Sequence, residues 1–287
     1  MQAKRTRDTV VASATVQRTP RVSIVLSSYK GGGDHFGNAK FDGLPDPRAV
    51  RDDLLPEQIA AMTRHAIRLG NHPNRDLRRI VGTNESVLLL VSPYAEPVVV
   101  STLAEVLRQE ASGIRLSLFS TDAKRFPGID RAAADKVLMP APGIWSKRDV
   151  EYRIPRAVLD CDRVFSIAPL RIDKGRPSLT VDNYRMLAES AAGTPDLVAL
   201  DLFSFHPAEF AILGGTQVLR DGKPVRHNLI LAGSIAAPVD AVGAAVLGIK
   251  PASVPALEIA EKRGFGTAKL DVVWTLGNEI EQARLTS

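Results

Sequence analysis

The sequence has 287 residues, 45% of them hydrophobic, which is enough to bury a substantial core. Its formal net charge is +5, its basic residues are dispersed and only 5% of residues are aromatic, so no nucleic-acid partner is expected. Cys161 is the single cysteine, which excludes an internal disulfide and an iron–sulfur cluster or multi-thiolate zinc site held by this chain alone.

The start of the sequence is basic, and we interpret residues 1–19 as a flexible basic tail. Residues 20–287 are then predicted to form one α/β domain, in which a division into two lobes near residues 145–155 is open. No apolar run approaches the roughly eighteen residues that a membrane-spanning helix needs. Residues 10–17, VVASATVQ, are too polar for a signal sequence, so the sequence predicts a cytoplasmic protein with no membrane partner.

A strand is predicted at Arg21–Leu26, where β-branched residues are dense, and it leads into the glycine-rich stretch YKGGGDHFGN. This stretch lacks the residue order of a phosphate-binding P-loop, so a surface loop is the simpler interpretation. The next helix is predicted to begin at Pro56 and to end near Gly70.

Residues 87–119 have the pattern of a strand–helix–strand unit. The apolar run at 87–91 indicates a strand covered on both faces, a helix is predicted to begin at Pro97, and residues 114–119 alternate as a second strand. Such a unit places its two strands parallel, joined by a right-handed crossover.

Two cationic side chains follow the next predicted strand, Arg163–Ala168. Arg171 and Lys174 lie just past the end of that strand, where the loops of α/β sheets contact ligands, so we predict that they bind a carboxylate or phosphate. An ordinary solvated loop is the alternative. Residues 153–159 and 179–191 are predicted to be helical.

A buried strand is also predicted at residues 196–202, and His206 and Glu209 follow it, three residues apart. This spacing is typical of ligands, but a metal site usually needs three protein ligands. We therefore assign His206 and Glu209 to substrate binding and expect no metal. Asp201, at the end of the predicted strand, is placed in the same site.

Asp240 lies in the stretch 226–248, which combines a buried strand, a tight loop and a helix. Strand, loop and helix form the unit of an open α/β sheet, in which ligands bind outside the carboxyl ends of the strands. We therefore predict that Asp240, in the first turn of the helix, is a catalytic acid/base or orienting group together with Asp201. The alternative is that Asp240 only complements the helix dipole.

A hairpin turned by Asp221 and Gly222, a helix at residues 255–263 and a strand at 270–275 complete the pattern. The predicted fold class is α/β, with a mostly parallel sheet and helices on both faces, because buried strands alternate with helices. Two lobes around a cleft are compatible with this pattern.

The order of these features resembles that of the DUF362 family, an α/β domain whose biochemical role is generally unassigned. The segment LILAGSIAAPVDAVGAAVLG is similar to the family's LxxGxDPVAVDAVxxxLxG-like segment, and IPRAVLDCDRVFSIAPL, PDLVALD and PALEIAEKRGFG occur in the family's order. The resemblance carries over Pro169, Asp201 and Asp240 as matched positions. It departs at polar positions such as Asp182, where a lysine would stand, and this divergent member lacks the cysteine-rich segments that often associate the family with iron–sulfur proteins.

The leading hypothesis is an enzyme that binds a small anionic molecule in a cleft at the carboxyl ends of the strands. One alternative is a non-catalytic ligand-binding or regulatory protein. Another is a redox protein that either serves an iron–sulfur partner or shares a cluster across a homodimer through Cys161, although Cys161 itself is interpreted as a buried small hydrophobe. The expected partner is a small-molecule ligand, and the cofactor stays unknown.

Overall fold

The computed structural model describes residues 20–26, 54–71, 77–133, 135–140, 150–188 and 193–285. The predicted tail at residues 1–19 and the glycine-rich stretch after residue 26 lie outside the described residues. No helix within these ranges is long and apolar enough to cross a bilayer.

The strands are β1 (Arg21–Leu26), β2 (Ser86–Val91), β3 (Arg115–Phe119), β4 (Asp130–Arg131), β5 (Lys136–Pro140), β6 (Glu151–Pro155), β7 (Arg163–Ala168), β8 (Arg171–Asp173), β9 (Arg176–Ser178), β10 (Phe210–Arg220), β11 (Lys223–Gly233) and β12 (Trp274–Gly277). The α-helices are α1 (Pro56–Gly70), α2 (Leu77–Ile80), α3 (Pro97–Glu110), α4 (Arg156–Asp160), α5 (Pro195–Phe205), α6 (Ala236–Val246), α7 (Pro255–Lys262) and α8 (Ile280–Ala283). A longer 3-10 segment occupies Val181–Leu187.

Ten strands form one sheet, in the order β12-β1-β11-β10-β7-β2-β3-β4, with the β8–β9 hairpin attached to β10. Along this order each neighbouring pair is parallel except the two pairs that contain β11. The parallel strands therefore all end at one edge of the sheet, which we call the carboxyl edge, whereas β11 ends at the opposite, amino edge. The predicted fold class, α/β with a mostly parallel sheet, is confirmed.

Helices cover both faces of the sheet, as predicted, because successive side chains of a strand point to opposite faces. In β2, Leu88 and Leu90 pack into a core with residues of α5, α6 and α7. Val87, Leu89 and Val91 instead pack into a second core with residues of α1 and α3. A strand between two cores must be apolar on both sides, which is why the sequence of β2 is a continuous apolar run.

The prediction of a strand at residues 196–202 is wrong, because these residues belong to the helix α5. Pro195 occupies the first turn of α5, and the Thr194 hydroxyl caps the helix by accepting a hydrogen bond from the Leu197 N–H at 3.4 Å. Residues 198–203 are all buried. Apart from Asp201 this buried stretch is apolar, so it has no alternation of polar and apolar faces that would distinguish a helix from a buried strand.

Three other predicted elements have different boundaries. Residues 151–155 form β6, with the strand-like alternation of buried and exposed side chains, so the helix predicted at 153–159 begins only at Arg156. The helix predicted at 179–191 is the 3-10 segment, and the last strand begins at Trp274.

The hairpin predicted at Asp221 and Gly222 is confirmed, since β10 and β11 pair antiparallel on either side of it. The φ angles of these residues are 49° and 76°, as a tight two-residue turn requires. The sheet contains strands from both sides of residues 145–155. The division of the chain into two lobes stays a prediction.

Gly70 lies where α1 packs closely against β11. A Cβ at this position would lie 2.3 Å from the carbonyl oxygen of Ala232, a backbone atom that cannot rotate away. Alanine in a helix is normally more stable than glycine by about 0.5–1 kcal/mol. We expect the contact to reverse this sign, so that Gly70→Ala lowers the free energy of unfolding by about 1–3 kcal/mol in urea denaturation. An increase in stability would contradict this packing.

Candidate functional site

Asp240 is the fifth residue of α6, which begins at Ala236, so its predicted place in the first helical turn is wrong. The loop between β11 and α6 lies at the amino edge, because Gly233 pairs with residues at the beginnings of β1 and β10. The strand–loop–helix unit therefore does not place Asp240 at the carboxyl edge. β11 runs in the reverse direction because it forms a hairpin with β10. The sequence stretch on which the prediction was based does not include β10.

The Asp240 carboxylate lies inside the protein and accepts three hydrogen bonds. Oδ1 accepts from the Thr180 N–H at 3.0 Å and from the Thr180 hydroxyl at 2.6 Å, and Oδ2 accepts from the Val181 N–H at 3.0 Å. The residue is only 2% exposed. Burial raises the pKa of Asp240 to about 7, against the opposing effect of these bonds. The carboxylate thus joins α6 to the start of the 3-10 segment.

This contact continues into the sheet. The Thr180 carbonyl accepts a hydrogen bond from the Ser166 hydroxyl of β7 at 2.8 Å. The Asn183 side-chain amide donates to the carbonyl oxygens of Ile167 at 2.8 Å and Leu90 at 3.3 Å. Asp240 is therefore connected through the 3-10 segment to the two central strands β7 and β2.

The raised pKa of Asp240 predicts how stability depends on pH. The unfolded chain loses this proton near pH 4, whereas the folded protein keeps it up to about pH 7. The contribution of Asp240 to stability should therefore be largest below pH 4 and fall between about pH 4 and 7, by roughly 4 kcal/mol at about 1.4 kcal/mol per pKa unit. Urea denaturation across this range checks the prediction, with Asp240→Asn as the comparison because its side chain cannot ionise.

The difference in unfolding free energy between the native protein and Asp240→Asn should therefore change with pH in that window. The amide of the substituted side chain would place a donor against a backbone N–H, which costs about 1–3 kcal/mol at every pH. Two parallel pH profiles would contradict the prediction.

Asp201 is also buried, within α5. Its Oδ1 lies 2.8 Å from Nη2 of Arg263, and its Oδ2 accepts a hydrogen bond from the Tyr152 hydroxyl at 2.8 Å. The side chains of Asp201 and Arg263 are 1% and 8% exposed, so this ion pair is shielded from water. It joins α5 to β6 and to the end of α7.

This buried pair predicts a non-additive effect of two substitutions. Arg263→Met leaves the Asp201 carboxylate buried without a counter-charge, which we expect to lower the free energy of unfolding by about 3–5 kcal/mol. Adding Asp201→Asn removes the uncompensated charge while keeping an acceptor for Tyr152, so the double variant should be more stable than Arg263→Met alone. Thermal and urea denaturation measure both. A double variant that is less stable than either single variant would contradict this account.

His206 follows α5 and lies next to Cys161. Its Nδ1 is 3.0 Å from the Val158 carbonyl oxygen and 3.7 Å from the Cys161 sulfur, and the Cys161 thiol donates to the same carbonyl at 3.3 Å. Cys161 is 6% exposed, which confirms its interpretation as a buried residue. Among the described residues no group of three or more His, Cys, Asp and Glu side chains could hold a metal ion.

Glu209 precedes β10 at the amino edge, and Arg163 at the start of β7 binds it. Arg163 Nη1 lies 2.8 and 3.0 Å from the two Glu209 carboxylate oxygens. The rest of the guanidinium contacts both oxygens of Glu85, just before β2, at 2.9 and 3.1 Å. Hydrogen bonding to Arg163 lowers the pKa of Glu85. These ion pairs join the starts of three neighbouring strands.

Arg171 and Lys174 lie beyond the carboxyl end of β7, as predicted, in the β8–β9 hairpin. The Arg171 guanidinium pairs with Asp173 and lies 4.8 Å from the centre of the Tyr94 ring. The Lys174 side chain is exposed at the turn, and its backbone N–H donates to the Asp221 carboxylate at 2.6 Å.

The direction of chain connections changes between β2 and β7. From β2 the chain passes through α3 to β3 on one side, and from β7 it passes through α5 to β10 on the other. Such a switch point is where α/β sheets usually bind ligands. Here the Glu96 carboxylate, just after β2, accepts hydrogen bonds from the N–H and hydroxyl of Thr216 in β10, at 2.7 and 3.1 Å. An internal carboxylate therefore bridges this part of the carboxyl edge.

One strand further along, an open cleft of about 440 Å³ lies at the carboxyl ends of β3 and β4. Its size is within the usual range for small-molecule sites. The lining residues are Leu118, Phe119, Ser120, Thr121, Asp122, Ala123, Lys124, Arg131 and Ala132. Within the described ranges, no carboxylate pairs with Lys124 or Arg131. Sequence analysis missed this cleft, although its polar run begins directly after a predicted strand.

The fold and this cleft define an α/β protein with a polar site at the carboxyl edge of a mostly parallel sheet. No family model and no curated protein matches the sequence. The solved structure of the lactate racemase apoprotein from Thermoanaerobacterium thermosaccharolyticum is similar over 61% of this chain, with a TM-score of 0.41 and 10% identity. The chain spans about half of that structure, 52%. A likeness at this level carries no argument about activity.

Proposed function

We propose that this protein binds a small anionic molecule in the cleft at the ends of β3 and β4, which we call the β3–β4 cleft. The observation that carries the proposal is that Lys124 and Arg131 line this cleft and pair with no carboxylate of the described residues. An Arg guanidinium binds a carboxylate or phosphate with two parallel hydrogen bonds, and a Lys ammonium adds a second charge. A ligand anion would supply the missing partner for both.

The position of the cleft supports the same proposal. It lies at the carboxyl edge, where the loops between strands and helices are free to vary without disturbing the sheet. The charged groups at the amino edge differ, because Arg163 there is already paired with Glu85 and Glu209. Lys124 and Arg131 therefore differ from Arg163, which is already paired with carboxylates of the chain.

Binding without catalysis by Asp201 and Asp240 is the second candidate. It is favoured by the observation that both carboxylates already accept hydrogen bonds or an ion pair from inside the protein. Their catalytic role stays a prediction, as does substrate binding by His206 and Glu209. If the protein turns its ligand over, Asp122 is the carboxylate that lines the cleft.

We also propose that the chain is a divergent relative of the DUF362 family. The support is the order of the sequence segments described above. The family-like segment LILAGSIAAPVDAVGAAVLG extends from β11 through α6, and PALEIAEKRGFG begins with α7.

Removal of one cation from the cleft tests the proposed function. Inorganic phosphate and malate serve as probes in isothermal titration calorimetry. We expect Arg131→Ala and Lys124→Ala each to weaken the binding of at least one probe by about 10- to 100-fold, since a hydrogen bond to a charged group contributes about 1.5–3 kcal/mol. The matched control is Arg115→Ala, which removes an exposed cation from the opposite end of β3.

Equal loss of affinity in Arg115→Ala and Arg131→Ala would indicate a general charge effect and overturn the proposal. Arg171→Ala and Lys174→Ala belong in the same experiment, because these residues form the cationic pair predicted from the sequence. If only they weaken binding, the anion lies at the β8–β9 hairpin and not in the β3–β4 cleft.

A further inference from the structure

Resting on the proposed function, we infer that the ligand of the β3–β4 cleft carries a phosphate group together with a hydrogen-bond donor, either a hydroxyl or an amino group. A small phosphorylated polyol or a phosphorylated amino alcohol has this chemistry. The inference depends on how the polar groups of the cleft complement one another.

The positive side of the cleft fits a phosphate better than a carboxylate. Lys124 and Arg131 together carry two positive charges. A phosphate monoester carries nearly two negative charges at neutral pH and three terminal oxygens, whereas a carboxylate has one charge and two oxygens. A monocarboxylate offers these two cations one negative charge and two oxygens, whereas a phosphate offers a charge and an acceptor oxygen to each of them.

Two residues of the cleft, Ser120 and Thr121, carry hydroxyl groups, and additional donors also favour a phosphate, which has more acceptor oxygens than a carboxylate. The Ser120 hydroxyl oxygen accepts a hydrogen bond from the Asp122 N–H at 3.3 Å. This bond uses a lone pair, so the Ser120 hydroxyl hydrogen can still be donated to a ligand oxygen. Thr121, which also carries a hydroxyl group, lines the cleft as well.

Asp122 determines the second part of the inference. Asp122 lines the cleft, and no side chain or backbone group within the described ranges donates to its carboxylate. An ionised carboxylate only accepts hydrogen bonds, and it repels a phosphate. A ligand that places its phosphate against Lys124 and Arg131 therefore has to present a donor to Asp122. A hydroxyl or an amino group of the ligand can supply this donor.

The apolar part of the lining limits what lies between these two groups. Phe119, Ala123 and Ala132 are partly exposed and supply hydrocarbon surface beside the polar residues. A short carbon chain joining the phosphate to the donor would contact this surface.

Four probes separate these features in isothermal titration calorimetry. Methyl phosphate has the phosphate alone, glycerol phosphate adds hydroxyls, phosphoethanolamine adds an amine, and glycerate replaces the phosphate by a carboxylate. We expect glycerol phosphate or phosphoethanolamine to bind about 10-fold or more tightly than methyl phosphate, because of the added charge-assisted hydrogen bond. Glycerate should bind more weakly than glycerol phosphate.

Asp122→Asn then tests the residue itself. We expect it to reduce the preference for the donor-bearing phosphate by about 10-fold, while the affinity for methyl phosphate stays the same or rises because a repelling charge is removed. The matched control is Asp130→Asn, which removes the same charge beside Arg131 on β4 but does not line the cleft. Thermal denaturation verifies that both variants are folded.

The outcomes distinguish this inference from the function on which it rests. If no probe binds, both are overturned. If methyl phosphate, glycerol phosphate, phosphoethanolamine and glycerate bind equally and each depends on Arg131, anion binding stands and the inference falls. If Asp122→Asn and Asp130→Asn change the preference equally, the donor does not contact Asp122 and the inference also falls.

Discussion

The buried carboxylate of Asp240 is the contact on which the arrangement of the helices over one face of the sheet depends. Three hydrogen bonds from Thr180 and Val181 hold it, and Thr180 is in turn bonded to Ser166 in the sheet. Burial disfavours the ionised form of a carboxyl group, and even with these three donors the pKa of Asp240 is raised to about 7. Through these bonds one side chain fixes α6, the 3-10 segment and the central strands relative to one another.

The acidic residues of this protein divide by the partners that they have. Asp240, Asp201 and Glu209 each hold elements together: Asp240 by hydrogen bonds, Asp201 through Arg263 and Glu209 through Arg163. Removing one member of such a group leaves its partner unsatisfied inside the fold, so these residues primarily affect stability. The spacing of acidic residues in the sequence therefore shows where charged side chains occur. Their hydrogen-bond and ion-pair partners in the structure decide whether those side chains are structural.

The cationic side chains at the carboxyl edge differ in the same way. Arg171 pairs with Asp173 and stacks on Tyr94. Together with the bond between Glu96 and Thr216, these contacts occupy the edge near the switch of chain direction. Lys124 and Arg131 lie in the neighbouring cleft, where no carboxylate of the described residues is paired with them. The open cleft thus lies at the edge that the general rule for α/β sheets indicates, but beside the switch point, where internal contacts of the chain occupy the edge.

The sequence by itself determined the elements whose signals are local. Proline at the start of α1 and α3, the apolar run of β2 and the Asp221–Gly222 turn predicted those elements correctly, since capping, periodicity and turn geometry depend on neighbouring residues. The fold class followed from their order. The local pattern failed at α5, because a short, mostly apolar run fits a buried helix as well as a buried strand. The local pattern also did not determine the direction of β11, and so it did not determine at which edge of the sheet Asp240 lies.

Tertiary structure alone decided which charges meet. Arg163 binds Glu85 across 78 residues of sequence and Glu209 across 46, and Asp240 meets Thr180 across 60. No spacing in the sequence encodes these pairs, because the sheet order places distant segments side by side. The cleft residues Asp122, Lys124 and Arg131 are close in sequence, but the first two follow β3 and the third belongs to β4, and the parallel pairing of these strands gives them one lining.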